Sequence, residues 1–347
     1  STPKPSSAAS DVYKRQVMLK DLGEREVLNR IRDLIVSSRY LPFPDDAITM
    51  RVDERFFIVN IDGFSFKSAR YYWMDYYDVG WKAASASISD VVAKGGKPAI
   101  TLSSLGVRRS MNIRGLRKII RGLRDSSKYH SALYLGGDLN ETPRDEWIDV
   151  VTIGISETPP VPRKSKRPLK EGDLVLTWGY YGLTGAALHA HYNRVDITPW
   201  RKVLDKTKRP KINLEVLEIF ENLNEYIRSS EDVSDGLAET LWDLSKANNV
   251  GFKISNIPIE EEALEYSKMY NLDPLNLALY GGEDYSIVFI VDRSIANKLR
   301  DLKMEYDSLE VLGEVIYAKE IYVTTEKEKR TINRGWEYFK NKQSTNT

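Results

Sequence analysis

The sequence predicts a mixed α/β protein of two domains. A chain of 347 residues is long enough for two domains of ordinary size. Short apolar runs of strand length, such as "RFFIVNI" and "YSIVFIV", alternate with segments whose apolar residues recur at helical spacing. Between the two groups lies Thr158–Asp173, "TPPVPRKSKRPLKEGD", rich in proline and cations and without periodicity, which reads as the domain boundary.

Composition narrows the class. Lys plus Arg number 51 against 50 Asp plus Glu, a net of +1, so nothing in the charge points to nucleic acid or an anionic membrane. The longest apolar runs are far too short to span a bilayer, and no secretory apolar core is visible. With no cysteine there is no disulfide framework, no Cys-ligated zinc or iron–sulfur cluster and no thiol nucleophile. A cytoplasmic location is the expectation. Residues 1–17, opening "STPKPSSAASDVYKRQ", are rich in Ser, Pro and Ala and read as a disordered leader or appended tail.

From Met18 onward the elements follow in order. Val27, Leu28, Ile31, Leu34 and Ile35 keep helical spacing. Arg55–Ile61 reads as a strand that delivers Asp62 at its end. Asp78 is the expected N-cap of a helix running to about Lys94, stopped by Gly95 and Gly96. Ala84, Ile88, Val91 and Val92 form its buried stripe, and Asp90 lies off it among small residues (Ala83, Ala86, Ser87) that a ligand could approach closely. "SALYLGGD" reads as a strand and a Gly-Gly turn, and "WIDVVTIGIS" as another strand. Past the boundary come the strand "DLVLTWG", a helix over Leu183–His191, and a helix starting at "VSDG" with Leu237, Leu241 and Leu244 in phase. "GGEDYSIVFIV" is a turn into a buried strand, and "VTTEKEKRTINRGWEYF" follows. No repeat of solenoid period is present.

Five acid-bearing motifs recur along this framework: "PDDA" at Pro44–Ala47, "NIDG" at Asn60–Gly63, "SDVVAKGG" at Ser89–Gly96, "GGDLNE" at Gly136–Glu141 and "DVSDGL" at Asp232–Leu237. Most set an aspartate beside glycine or at the end of an element, exposing a carboxylate and bare N–H groups that suit divalent cations and phosphate oxygens. Two unit charges about 4 Å apart repel by roughly 4 kcal/mol at an effective dielectric of 20. Several aspartates therefore share a cleft only if cations offset them, and Mg²⁺ bridging to phosphates does so with oxygen ligands alone. The P-loop, the Rossmann glycine turn and the protein-kinase H-R-D and D-F-G pairs are all missing. Together these features point to a Mg-nucleotide enzyme on another scaffold.

The succession "DD", strand-D, "SDVVAKGGKP…LSSLGV", "GGD", "DVSDGL", "GGEDY" and "GWEYF" resembles thiamine-monophosphate kinase, of the aminoimidazole ribonucleotide synthase-like superfamily of ATP enzymes. The resemblance runs from about Met18 to Phe339. It implies an N-terminal α/β domain (18–160) that binds ATP and metal and pairs in a homodimer, with an α+β C-terminal domain (161–347). It implies Mg²⁺, ATP as phosphoryl donor and thiamine monophosphate as acceptor, transferred in line to thiamine diphosphate. The family's metal-binding acids fall on Asp46, Asp62, Asp90, Asp138, Asp232 and Asp235, with Asp45 adjacent. Of these, Asp90, Asp138 and Asp235 would be catalytic. Gly137, Asp138 and Ser234 would hold the nucleotide, Lys166 or Arg167 would reach its phosphates, and Glu283 and Trp336 would face the thiamine.

This chain departs from the family in three places. The Gly-x-His-Phe element after the strand aspartate is replaced by "GFSFKSARYYW", with Ala69 or Arg70 where the histidine would stand. Asn60-Ile61 precede Asp62 in place of a Ser/Thr-Thr pair. Glu141 stands where an arginine is usual, with Arg144 close by.

Plainer roles compete at several positions: N-capping for Ser234 and Asp235, a turn for Asp138, a solvated helix face for Asp90, core packing for Trp336, and solvation for the cations of Arg163–Lys170. His130, His189 and His191 read as structural, the last two being too close in sequence to converge on one metal from a helix. Two rival functions stand beside the kinase. An aminoimidazole ribonucleotide synthase-like cyclo-ligase would release inorganic phosphate, and a non-catalytic sensor would bind ATP without turnover.

Overall fold

The computed structural model describes residues 17–324 and 329–335. The chain divides into two units, the first described over residues 17–36 and the second being Ser37–Gly335. Among the described residues of the first, the expected apolar spacing forms a helix over Glu24–Ile31, then a 3-10 turn over Arg32–Leu34.

The second unit holds two sheets. The first is built from β1 (Ile48–Val52), β2 (Arg55–Ser65), β3 (Lys97–Val107), β4 (Leu133–Glu141) and β5 (Trp147–Ser156), in the order β1-β2-β5-β3-β4. Only the β3–β4 pair is parallel. Helices α1 (Tyr76–Ala93) and α2 (Ile113–Tyr129) pack on one face, where Ile148 and Val150 of β5 are fully buried. Most alternate residues of β5 and its neighbours, among them Val151 and Ile153 but not Asp149, are also apolar and only partly buried.

The second sheet comprises β6 (Leu174–Trp178), β7 (Ile227–Asp232), β8 (Gly251–Ile254), β9 (Ile287–Val291), β10 (Leu309–Ile316), β11 (Ile321–Thr324) and β12 (Lys329–Thr331), ordered β12-β11-β8-β10-β6-β9-β7. Helices α3 (Leu183–Asn193) and α4 (Leu237–Asn248) accompany it. The mixed helix–sheet class expected from the sequence is what the chain adopts.

Three local expectations change. The N-cap of α1 is Asp75, not Asp78. Asp75 accepts from the N–H groups of Tyr77 (2.8 Å) and Asp78 (3.1 Å), while Asp78 reaches back to the Asp75 N–H at 3.0 Å, a reciprocal capping box. Second, β2 does not end at Ile61 but runs to Ser65, so Asp62 lies within a strand paired along its length with β5. Third, Gly136-Gly137 is not a turn, because β4 passes through both glycines. A Cβ at Gly137 would sit 1.7 Å from the Ser103 carbonyl oxygen, so only glycine lets the two strands meet where the register shifts.

Helix α1 organises the site. It is buried from Asp78 to Ala93, which is why its sequence is mostly Ala, Ser, Gly and Val. A Cβ at Gly80 would lie 2.1 Å from the Ile119 carbonyl oxygen, so the small residue sets the approach of α2. Trp81 Nε1 and Ser85 Oγ both donate to the Pro210 carbonyl at 2.8 Å. Lys94, just past the helix, donates to Ser230 O of β7 at 2.8 Å. The helix thus packs against the first sheet on one side and the second half of the chain on the other.

Candidate active site

Three acids from distant parts of the chain converge. Asp46 comes from the loop before β1, Asp90 from the last turn of α1 and Asp232 from the end of β7, and each offers an oxygen within 4.8 Å of the others. Burial pushes the Asp90 carboxyl well above its ordinary range, and the charges of Asp232, Asp46 and Asp62 push it further. Asp232 is raised by burial and by Asp46, while Asp90 and Ser89 hydrogen-bond to it, the Ser89 hydroxyl at 2.9 Å. Asp62 rises to about 7, first through burial and then through the charges of Asp232, Glu283 and Asp149, although the Gly63 N–H at 2.7 Å opposes this.

Asp46 behaves oppositely. Burial raises it, but the Arg163 guanidinium and the Lys94 ammonium outweigh that and bring it down to about 2. Arg163 pairs with Asp46 and, at 2.9 Å, with Glu231. Asp46 Oδ2 is buried with only the Lys94 ammonium beside it, at 3.1 Å and not aligned for a hydrogen bond, and Glu231 Oε2 is buried without a donor. Oxygen-only donors, mutual repulsion and an unsatisfied buried carboxylate oxygen are what a hard divalent cation such as Mg²⁺ requires. The residues present fit that ion.

The other expected residues are placed separately. Asp45 lies behind Asp46, against Lys94. Asp138 is exposed on β4 and accepts from Asn140 Nδ2 at 2.7 Å, beside the exposed Gly137. Ser234 and Asp235 occupy the turn from β7 into α4. The N-cap position of that helix is Gly236, one residue beyond Asp235. Lys166 stands over the Tyr40 ring at 4.8 Å, and Arg167 is exposed. Trp336 lies outside the described residues.

Glu283 anchors a second cluster. Its backbone takes a left-handed φ of 69°, held by its N–H donating to Ser234 O at 2.6 Å. Its carboxylate meets Lys82 Nζ of α1 at 2.5 Å, and Tyr71 hydrogen-bonds to it. Lys82 also donates to Ala69 O at 2.6 Å, within the segment that replaces the missing Gly-x-His-Phe element. Lys82, Glu283 and Tyr285 line a small cleft with Thr184, Lys206 and Thr207. Asp284, fully buried, accepts from the Thr184 hydroxyl at 2.9 Å and rises to about 7, chiefly through burial.

Sequence reasoning missed Lys82, Ser89, Lys94, Arg163 and Glu231. Lys94 carried one usable signal, as a lysine directly after the apolar Val91-Val92-Ala93 run that ends the helix. The histidines are structural. His130 Nδ1 bonds Ser126 O at 2.8 Å while Nε2 accepts from the Ile212 N–H at 2.9 Å, His189 meets the Tyr266 hydroxyl at 2.8 Å, and His191 packs among Tyr71, Tyr72 and Trp73.

Residues 44–156 match the family model "AIR synthase related protein, N-terminal domain". A thiamine-monophosphate kinase of Pyrococcus horikoshii is 31% identical over 304 residues, covering 85% of this chain and 90% of its own. The chain belongs to the thiamine-monophosphate kinase family. Solved structures agree on the fold of this kinase family. A Thermus thermophilus protein superposes with a TM-score of 0.81 at 29% identity, over 91% of this chain and 100% of that one. A structure described as AaThiL complexed with AMPPCP and TMP gives 0.80 at 23% identity, over 93% and 99%. Among the described residues no helix is long and apolar enough to cross a membrane.

Proposed function

We propose that this chain phosphorylates thiamine monophosphate to thiamine diphosphate, with ATP as donor and Mg²⁺ as cofactor. The convergence of Asp46, Asp90 and Asp232 carries the reading, because it sets a cation-demanding cluster where two halves of the chain meet. Mg²⁺ held by these three acids, with Asp62 beside them, would neutralise charge on the donor's terminal phosphates. The protein's own part is positional. Ser89 orients Asp232, Arg163 and Lys94 keep Asp46 ionised, and Glu283, braced by Lys82 and Tyr71, presents a carboxylate to the acceptor's positive ring. No general base is needed, since a phosphate monoester is already an anion near neutral pH.

The same reading assigns Asp138 and Asp235 to the metal–phosphate machinery. Gly137, Ser234, Lys166 and Arg167 go to the nucleotide, and Trp336 goes to the acceptor. It divides the chain into domains 18–160 and 161–347, with strands β1–β5 in the first and β6–β12 in the second. It also makes the protein a cytoplasmic homodimer. The outer face of the first sheet supports pairing: Ile48 and Met50 of β1, Ile61 of β2 and Leu133 and Leu135 of β4 are each at least 60% exposed. A monomer rarely leaves so broad an apolar face to water.

Incubation with ATP and Mg²⁺, with and without thiamine monophosphate, tests the activity by mass. Thiamine diphosphate formed only with the acceptor supports it. Release of inorganic phosphate without transfer would instead indicate a cyclo-ligase, and ATP binding without turnover a sensor.

A further inference from the structure

Lys94 has no solvent exposure at all. A buried ammonium persists only with partners, and this one has three: Asp45 Oδ1 at 2.7 Å, Ser230 O at 2.8 Å and Asp46 Oδ2 at 3.1 Å, the last an ionic contact without hydrogen-bond alignment. Asp45 is occupied in return. Its Oδ1 takes Lys94 and the Asp46 N–H at 3.0 Å, its Oδ2 accepts from the Arg163 N–H at 2.9 Å, and its side chain is 2% exposed. Both its oxygens are spent inside the protein.

Charge counting leads the same way. Lys94 contacts both Asp45 and Asp46, and the Arg163 guanidinium contacts Asp46 and Glu231, whose carboxyl burial pushes well above its ordinary range; with Glu231 in its neutral form, two negative charges face two positive ones. Among the described residues no cation makes an ion pair with Asp90 or Asp232, although the Lys94 charge reaches Asp232, and the two acids repel each other and Asp46.

We propose that Lys94 is a built-in cation that does at the Asp45-Asp46 pair what a further divalent ion would otherwise do. Asp45 is then an anchor for that ammonium and not a metal ligand, and the metal belongs to Asp46, Asp90 and Asp232. This rests on the metal reading above but says which acids take part. It also predicts that the loop carrying Asp45 and Asp46 is held in place without metal.

Mn²⁺ titration of the nucleotide-free chain, followed by the electron-spin signal of unbound Mn²⁺, tests this apart from any activity. The charge-neutral pair Asp45→Asn/Lys94→Met should keep the parent's Mn²⁺ affinity within about threefold, and Asp232→Asn should weaken it by at least about tenfold. Lys94→Met alone, which releases Asp45, should bind one additional Mn²⁺ per chain or need Mn²⁺ to fold. A tenfold loss in the neutral pair overturns the proposal, and so does a Lys94→Met protein that folds without metal and binds no more Mn²⁺ than the parent. If Asp90→Asn and Asp232→Asn both bind Mn²⁺ as the parent does, the metal reading itself fails and takes this proposal with it.

Discussion

Lys82 and Glu283 lie 201 residues apart in sequence, yet Nζ of one meets Oε1 of the other at 2.5 Å. Lys82 is 1% exposed and Glu283 28%, so the pair is buried at its cationic end and open at its anionic end. The carboxylate is thereby held in the lining of the cleft, with Tyr71 as its second donor.

Truncating the buried end should be costly. Removing one partner of a buried pair typically costs 3–5 kcal/mol, and the partial exposure of Glu283 places Lys82→Met at about 3 kcal/mol. Urea unfolding checks this. In the same variant the KM for thiamine monophosphate should rise while the KM for ATP holds. Equal rises in both would show that Lys82 serves only the fold.

Asp90→Asn and Asp232→Asn should abolish transfer without destabilising the chain in chelator. Each removes like-charge repulsion worth up to roughly 4 kcal/mol for charges about 4 Å apart. Melting temperatures in chelator should therefore match or exceed the parent's. A fall of several degrees would mean that these carboxylates brace the fold.

His130 gives stability an acid limb. Burial depresses it from 6.5 to about 4, with the bond to Ser126 O opposing. The unfolded chain then binds the extra proton between those two values, so stability is full above about pH 6.5 and falls as pH drops toward 4. The shift is worth on the order of 3 kcal/mol. Unfolding free energies for the parent and His130→Phe across this range should differ in slope by this one proton, the opposite contributions of Asp62 and Asp284, which rise to about 7, being common to both.

Ile153→Asp should split the proposed dimer. Ile153 lies on the outer face of the first sheet, opposite Val59 and Ile100, so a charge there would be buried on pairing. Sedimentation should show the parent as a dimer and the variant as a folded monomer.

Much of the fold was legible because apolar periodicity reports elements that bury one face. The strand over Trp147–Ser156 and the helix beginning near Leu237 stand where their patterns place them. Asp78 misled because two aspartates share one capping box, and the carboxylate first in sequence is the cap. Gly136-Gly137 misled because a glycine pair serves a close strand crossing as well as a turn. Within the site, the acids were visible by type and neighbourhood. Their cations were not. Lys94 and Arg163 sit in a helix end and a cation-rich linker, where such residues usually meet solvent, and only the tertiary fold turns them inward.

Lys82, Ser89, Asp90 and Lys94 all ride on one helix or its final turn, which acts as a ruler. Eight residues at 1.5 Å each set Lys82 and Asp90 about 12 Å apart along the axis. A rod of that kind cannot shorten to suit a small guest. On the proposed function, a molecule reaching from the Lys82–Glu283 pair to Asp90 has to follow the helix between them, which sets a length it must have.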